Sequence, residues 1–238
     1  MAEIKERGGE AVVNYDSVTT TEGGENIVKT CVDNFGKIDI LVNNAGILRD
    51  RMIFNMSPEE WDTVIKVHLY GAFNCTKPAV TLMREQRSGR IINITSPTAL
   101  GGVPGQSNYG TAKAGVLGFT RVLSRELGRY GITVNAFCPI AATRMTETFG
   151  HGATRRMPQP EDIAAIVAFL ASDAAADING QTISCTGGQI ALYTPNPTIV
   201  RSINKDGRWT VEELLRIMPS TIAADLVNPS PPQPSADS

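Results

Sequence analysis

The sequence predicts an α/β protein built on a doubly wound parallel sheet. Short apolar runs, typical of buried strands, alternate along the chain with amphipathic segments that have the periodicity of helices. The runs are almost continuously apolar, as expected when helices cover both faces of a sheet. Neither the length of 238 residues nor any boundary signal requires a second large domain.

Composition and charge limit the kind of partner. Apolar residues make up 42% of the chain and charged residues 19%, as in an ordinary globular protein. The net charge of −2 gives no support to nucleic acid or an anionic membrane as a partner. No apolar run approaches the roughly 20 residues of a membrane span, and the first residues lack the apolar core of a signal peptide. We therefore expect a cytoplasmic protein.

The cysteines and histidines are not spaced as metal ligands. The four cysteines lie far apart in apolar contexts without a C-x-x-C pair, which favours buried free thiols. His68 and His151 have no neighbouring ligand at metal-binding spacing. We predict no structural metal.

The first quarter of the chain contains two predicted strands. A helix end closed by Gly8 and Gly9 precedes the first strand, Ala11 to Asp16. A helix from Glu25 to Phe35 leads to the second, Ile38 to Asn44. A doubly wound nucleotide-binding sheet opens with a strand and a glycine-rich turn that holds a pyrophosphate. We expect this chain to lack the first two strands and that turn, and therefore to bind a nucleotide cofactor weakly or not at all.

The middle of the chain combines a clear helix start with an expected break. Ser57-Pro58-Glu59-Glu60 has the N-cap, first-turn proline and capping-box glutamate of a helix N-terminus. That helix is predicted to continue to about Glu85, with a break near His68. The later predicted elements are strands at Ile91 to Ile94, Ile132 to Cys138 and Gly180 to Gly188, and helices at Tyr109 to Tyr130 and Pro160 to Ser172.

The chain is predicted to divide after residue 190. Residues 1–190 form the incomplete sheet domain, and residues 191–227 form an extension with a Pro/Asn-rich linker and a short helix, Val211 to Met218. Residues 228–238 are rich in Pro and Ser and are predicted to be disordered.

A reactive trio is predicted where the strand Ile91 to Ile94 ends. Ser96 follows that strand, and Tyr109 and Lys113 lie one helical turn apart on the next helix. An ammonium beside a phenol favours the phenolate and lowers the tyrosine pKa from about 10 toward the range of acid/base catalysis. Ser96 is placed to hydrogen-bond the oxygen that Tyr109 protonates, which suits hydride transfer at a carbonyl. Taken alone, Tyr-x-x-x-Lys also occurs on solvated helix faces.

The order of these motifs is similar to that of a known family. Ser96, Tyr109 and Lys113, preceded by Asn43-Asn44-Ala45-Gly46 after an earlier strand, resemble the short-chain dehydrogenase/reductase family from about Ala11 to Gly188. The resemblance implies a Rossmann-like fold with NAD or NADP as cofactor. It implies Tyr109 as general acid/base and Ser96 as the residue that orients the substrate oxygen. Lys113 would lower the pKa of Tyr109 and hold the nicotinamide ribose.

The resemblance also implies a set of cofactor contacts. They are Asp16, Asn43, Ala45, Gly46, Tyr109, Lys113, Pro139 and Thr143. Asp16 matches a position that touches the adenine ring, and Thr143 matches one that hydrogen-bonds the carboxamide. The Asn44 side chain would brace the sheet. Plain interpretations as cap, turn or strand-end residues stay open for these positions.

His68 stands where the family carries an active-site asparagine that holds a water in a proton relay. A histidine is also able to hydrogen-bond a water, so we count His68 with the catalytic residues. A partly buried packing residue is the alternative.

Four segments point to a subgroup of the family. They are Asn14 to Val18, Asn43 to Arg51, Val67 to Leu69, and Arg144 to Thr146. They look like the (3R)-hydroxyacyl-CoA dehydrogenase part of peroxisomal multifunctional enzymes and its bacterial relatives. The resemblance implies a 3-hydroxyacyl-CoA or sterol-like substrate that passes between secondary alcohol and ketone.

Assembly is the last expectation from the resemblance. The long helices after His68 and Tyr109 pack against symmetry mates in the family, and here they carry apolar residues, among them Val80, Leu82, Val116 and Leu123. A homodimer or homotetramer is therefore expected. The alternative function is that of a non-catalytic or truncated member that retains only this oligomerisation surface.

Overall fold

The computed structural model describes residues 1–142, 158–194 and 197–226. The chain divides into two compact units, Met1–Pro195 and Asn196–Ser238. The strands of the larger unit are β1 (Ile40–Asn43), β2 (Gly89–Ile94), β3 (Ile132–Pro139), β4 (Thr182–Thr186) and β5 (Gln189–Tyr193). Its α-helices are α1 (Ala2–Glu6), α2 (Thr21–Phe35), α3 (Pro58–Ile65), α4 (Gly71–Gln86), α5 (Thr98–Gly101), α6 (Ser107–Leu127) and α7 (Pro160–Ala171). Short 3-10 turns lie at Ile53–Asn55, Gly128–Tyr130 and Asp173–Ala175.

The five strands form one sheet in the order β1-β2-β3-β4-β5. The first four strands are parallel and β5 is antiparallel to β4. Asn43 at the end of β1 pairs with Asn93 of β2, and Asn93 pairs with Ala136 of β3. The predicted parallel α/β class is therefore confirmed, and the carboxyl ends of β1, β2 and β3 share one edge.

Ala11 to Asp16 does not form the predicted strand, so that prediction is wrong. Side chains, and not a neighbouring strand, make hydrogen bonds in this segment. The Asn14 amide donates to Asp16 Oδ2 and to Thr30 Oγ1, both at 2.8 Å, and the Asp16 backbone N–H returns a bond to Asn14 Oδ1. Such local bonds compete with a strand ladder. Strand β1 is then the edge of the sheet in the part of the chain that the structure describes.

Two further boundaries differ from prediction. Helix α2 begins at Thr21, because Thr20 acts as N-cap and accepts from Gly23 N. The glycines Gly23 and Gly24 therefore lie inside the helix, where a Cβ on Gly24 would approach the Asn74 carbonyl oxygen to 2.4 Å. Strand β5 occupies residues predicted to begin a linker, because the turn at Gly187 (φ +59°) folds the chain back on β4.

The break in the second long helix is confirmed. Ser57 forms the predicted capping box with Glu60 at the start of α3. A π-helical segment, Lys66–Tyr70, separates α3 from α4 and contains His68. Such bulges are frequent at functional sites, and this one turns the imidazole toward β1 and α6.

The core lies between the helices and the sheet. Val116 and Leu123 of α6 are buried in it, and Val80 and Leu82 of α4 pack against it, so these four residues do not form the outer face predicted for them. The smaller unit contains α8 (Val211–Ile217) and a 3-10 turn, Met218–Ser220. Among the described residues, no helix combines the length and apolar character that crossing a membrane requires. The predicted disordered tail, 228–238, lies outside the described residues.

Candidate active site

The predicted trio meets at the edge where β1, β2 and β3 end. Ser96 follows β2, and Tyr109 and Lys113 lie on the first turns of α6. All three line a cavity of about 560 Å³, which we call the outer cavity. The inner cavity, of about 110 Å³, shares Lys113, His68 and Asn44 with it. The strand, loop and helix therefore bring together the residues that sequence spacing selected.

Ser96 is buried and already engaged by backbone. Its Oγ accepts a hydrogen bond from the Thr98 N–H at 3.2 Å, at the start of α5. Because that bond occupies an oxygen lone pair, the hydroxyl proton is left for another acceptor. Interaction with Ser96 is also the largest influence that lowers the pKa of the Tyr109 phenol.

The pKa of Tyr109 is raised, which corrects the prediction that Lys113 would lower it. Burial is the largest cause, and Cys138 and Asp50 add to it, whereas Ser96 opposes it. The Lys113 ammonium lies 5.8 Å from the centre of the Tyr109 ring, over its face. Desolvation of the phenol therefore outweighs the hydrogen bond to Ser96, and Lys113 is not among the causes of the shift. Tyr109 is therefore a phenol at neutral pH, which is the form that donates a proton.

Lys113 is held close to the strand end. Its Nζ donates to the Ile94 carbonyl at 2.6 Å, and its backbone carbonyl accepts from Thr95 Oγ1 at 3.2 Å. Burial lowers the pKa of Lys113 from 10.5 to about 8, with a small opposing influence from Cys138. The side chain is therefore still mainly a cation at pH 7, although the folded protein disfavours that charge.

His68 faces both Tyr109 and the loop that follows β1. Its ring meets the Tyr109 ring edge-on at 5.1 Å, and its Nε2 lies 3.1 Å from Ile47 N and 2.8 Å from Ile47 O. Its Nδ1 is buried without a hydrogen-bond partner among the described residues. A Cβ on Gly46 would approach His68 Cε1 to 2.6 Å, so the loop after β1 needs glycine for this ring to fit.

The environment of His68 keeps it neutral. Burial lowers its pKa from 6.5 to about 4, the Lys113 charge adds to that effect, and the bond to Ile47 opposes it. A neutral imidazole has one donor and one acceptor nitrogen, so the unpartnered Nδ1 is free to bind a water or a hydroxyl. This arrangement fits the predicted relay role, which stays a prediction.

Replacing His68 with asparagine should remove a loss of stability in acid. The unfolded chain binds a proton on His68 near pH 6.5, whereas the folded chain binds it only near pH 4. Stability therefore falls as the pH drops through this window, by about 2 kcal/mol between pH 7 and pH 5. Urea unfolding at both pH values should show this loss in the unmodified chain and about 2 kcal/mol less of it in His68→Asn. An identical pH dependence of the two proteins would contradict the buried neutral imidazole.

A buried chain of amides braces the sheet behind the site. Asn43 Nδ2 donates to Asn93 Oδ1 at 2.8 Å and to Thr76 Oγ1 at 3.0 Å, and Asn93 Nδ2 donates to Thr120 Oγ1 at 2.9 Å. The bracing role expected of Asn44 therefore falls to Asn43. Asn44 instead lines both cavities.

The other predicted cofactor residues divide into three groups. Ala45 lines the inner cavity, and Gly46 and Pro139 line the outer one. Asp16 lies outside the lining of both cavities, where Asn14 and Asn26 hydrogen-bond its carboxylate. Thr143 lies outside the described residues.

Two polar residues beside the trio, Gln106 and Asn108, were not predicted from the sequence. Gln106 accepts from Thr98 and donates to Asp50, and Asn108 donates to the carbonyls of Arg49 and Glu60. The available signal was the polar run Gln106-Ser107-Asn108 directly before Tyr109. Asp50, Arg49 and Glu60 lie more than 40 positions before this run in the sequence, so no local pattern identifies them as its partners.

Comparison with known proteins agrees with this geometry. A family model described as Enoyl-(Acyl carrier protein) reductase matches residues 1–189. The chain is 46% identical over 198 residues to a 3-oxoacyl-[acyl-carrier-protein] reductase of Synechocystis sp., and the match covers 80% of each protein. It is 40% identical over 228 residues to the hydroxyacyl-CoA dehydrogenase ChsB1 of Mycobacterium tuberculosis, covering 90% of this chain and 71% of that protein.

A longer protein and a solved structure extend the comparison. The chain is 43% identical over 189 residues to a peroxisomal hydratase-dehydrogenase-epimerase of Neurospora crassa, covering 79% of this chain and 21% of that protein. A crystal structure of a short chain dehydrogenase from Mycobacterium avium superposes with a TM-score of 0.85 at 40% identity, covering 93% of this chain and 77% of that one.

Fold, site geometry and relatives together define a nicotinamide-dependent oxidoreductase. The chain belongs to the short-chain dehydrogenase/reductase family, as its motifs indicated. Members of this family use NAD or NADP. Lys113 and the unpartnered Nδ1 of His68 line both cavities and are the polar groups that would face the hydroxyls of such a cofactor.

Proposed function

We propose that this chain interconverts the 3-hydroxy and 3-oxo forms of an acyl thioester, with Ser96, Tyr109 and Lys113 as the catalytic residues. One observation carries the proposal. The trio opens on an outer cavity of about 560 Å³ whose remaining wall is mainly apolar. Its apolar members are Leu48, Ile94, Pro97, Pro139, Ile140, Ala141, Pro160 and Ile163. A polar end and an apolar wall suit a substrate that has a hydroxyl or ketone at one end and a hydrocarbon chain beyond it.

The protonation states suggest how the residues act on a ketone. Tyr109, a phenol at neutral pH, donates its proton to the carbonyl oxygen as the carbon is reduced. Ser96 donates a hydrogen bond to the same oxygen, and the Lys113 cation stabilises the phenolate left on Tyr109. A bound nicotinamide cofactor supplies or accepts the hydride. In the oxidising direction, the same proton moves back to Tyr109.

Asn43, Ala45, Lys113 and His68 line the inner cavity and are the residues that we propose for contacts with the nicotinamide riboside half of the cofactor. Assays of this chain should use millimolar cofactor, so that cofactor binding does not limit the rate.

Substrate preference tests the proposal. We expect kcat/KM for 3-oxoacyl thioesters to rise with acyl length until the outer cavity is filled, by up to about fourfold for each buried methylene. A small cyclic ketone without a thioester should be a poor substrate. Oxidation of NADH and NADPH, followed at 340 nm against a series of thioesters, measures this. Equal rates for all ketones, or turnover that Tyr109→Phe does not reduce, would contradict the proposal.

Assembly and location complete the proposal. We infer a cytoplasmic homo-oligomer that uses the outer faces of α4 and α6. The supporting observation is that Phe73 on α4 and Val122 on α6 are 46% and 55% exposed, although both are large and apolar. The partner of the reaction is a small molecule, and the net charge of −2 favours neither nucleic acid nor an anionic membrane.

A further inference from the structure

A chain of three hydrogen bonds leads from the surface to Ser96. Asp50 Oδ2 accepts from Gln106 Nε2 at 2.8 Å, and Gln106 Oε1 accepts from Thr98 Oγ1 at 2.9 Å. The Thr98 backbone N–H then donates to Ser96 Oγ at 3.2 Å. Gln106, Thr98 and Ser96 are buried, and only Asp50 is exposed. The chain therefore links a surface carboxylate to the buried reacting edge of the outer cavity.

Each group in this chain has only one possible role. The Asp50 carboxylate only accepts, so it fixes which end of the Gln106 amide faces it. The Gln106 carbonyl must then face Thr98, which makes the Thr98 hydroxyl a donor. Because the Thr98 hydroxyl and N–H point to Gln106 and Ser96, the α5 turn has a fixed orientation. The Thr98 N–H occupies one lone pair of Ser96 Oγ, which leaves the hydroxyl proton available to an acceptor in the cavity.

The backbone around Asp50 is fixed to the start of α6. Arg51 N donates to the Gly105 carbonyl at 2.8 Å, and the buried Asn108 amide donates to the Arg49 carbonyl at 2.9 Å. Bonds on both sides of Asp50 thus hold it opposite Gln106. An exposed aspartate would otherwise sample many positions at little cost.

We propose that Asp50, Gln106 and Thr98 are positioning residues that fix the Ser96 hydroxyl as a hydrogen-bond donor to the reacting oxygen. The proposal rests on the proposed function, because it takes Ser96 to contact that oxygen. Thr98 and Gln106 also line the outer cavity, and in this proposal they act on the reacting oxygen through Ser96. Asp50 also belongs to the groups that keep Tyr109 a phenol, so its replacement has a second effect on the site.

Gln106→Met tests the chain because it keeps the length of the side chain and removes both hydrogen bonds. We expect kcat to fall about five- to tenfold with KM changed less than about twofold, since the loss of both bonds leaves the Thr98 turn that holds Ser96 without its support. Thr98→Val should give a similar fall. Thr98→Ser, which keeps the hydroxyl and the N–H, should retain nearly all activity.

The double variant Gln106→Met with Ser96→Ala separates positioning from general structural support. A residue that acts only through Ser96 has no further effect once the Ser96 hydroxyl is gone, so the double variant should match Ser96→Ala alone. A fall equal to the product of the two single effects would overturn the proposal. A change in KM alone for Gln106→Met would also overturn it.

An NMR measurement that does not require turnover tests this chain of hydrogen bonds independently of the proposed function. The side-chain amide protons of Gln106, observed by ¹⁵N NMR of the full chain, should exchange slowly and shift in both Asp50→Ala and Thr98→Val. If the unmodified chain reduces no 3-oxoacyl thioester, the proposed function fails, and the NMR result still decides whether this chain of bonds exists. Amide protons that exchange at solvent rates and do not shift would overturn it.

Discussion

Tyr109→Phe should lower kcat for reduction of a 3-oxoacyl thioester by a factor on the order of 10² or more. The substitution removes the proton donor and keeps the ring against His68 and under Lys113. Cofactor affinity should change little, because Lys113 and the inner cavity stay in place. Steady-state rates at saturating thioester and millimolar cofactor, with a parallel titration of cofactor binding, measure both effects.

Tyr130→Phe is the matched control for this prediction. Tyr130 lies just before β3, at the opposite end of that strand from the site, with Arg84 and Arg129 beside its ring. This variant should keep the turnover of the unmodified chain. Unchanged turnover in Tyr109→Phe, or an equal loss in both variants, would show that Tyr109 is not the proton donor.

Lys113→Met should lower activity and raise stability at the same time. The folded protein lowers the pKa of Lys113 from 10.5 to about 8, which corresponds to roughly 3 kcal/mol of disfavoured charge. Part of the gain is offset by the lost hydrogen bond to the Ile94 carbonyl. At pH 7 the variant should therefore be about 1–2 kcal/mol more stable, with turnover reduced on the order of 10²-fold. Urea unfolding and steady-state rates measure the two effects.

The pH dependence of the free energy of unfolding provides a second test of the buried cation. Because the unfolded chain holds the Lys113 proton up to about pH 10.5 and the folded chain only up to about pH 8, the unmodified protein gains stability between these values. Lys113→Met should lack that gain. Lys77→Met, on the exposed face of α4, should keep both the gain and the activity. A Lys113→Met protein that is less stable than the unmodified chain at pH 7 would contradict the buried cation.

The strand-loop-helix order and the resemblance of the motifs to a known family together predicted the trio. Ser96 ends a strand, and Tyr109 and Lys113 lie four positions apart on the following helix, so secondary structure alone brings them to one edge. The break near His68 was also predicted, and a π-helical segment lies there. Local spacing also gave the capping box at Ser57.

Properties that depend on tertiary surroundings were not predicted. The Tyr109 pKa is raised because burial outweighs the hydrogen bond to Ser96, and burial is decided by the assembled fold. Asp50 and Gln106 are 56 residues apart in sequence, so their hydrogen bond left no periodic signal. Ala11 to Asp16 has the composition of a strand, but a strand also needs a neighbour, and here Asn14 satisfies the backbone locally.

Transfer of deuterium from the cofactor to the substrate would show whether this chain reduces a 3-oxoacyl thioester by hydride transfer. The unmodified chain would be incubated with NADH or NADPH deuterated at C4 of the nicotinamide and a 3-oxoacyl thioester, and the product analysed by mass spectrometry. We expect one deuterium at C3 of a 3-hydroxyacyl product, at a rate reduced about 10²-fold or more in Tyr109→Phe. A product without deuterium at C3 from either labelled face of the nicotinamide, or equal labelling rates in the two proteins, would contradict it.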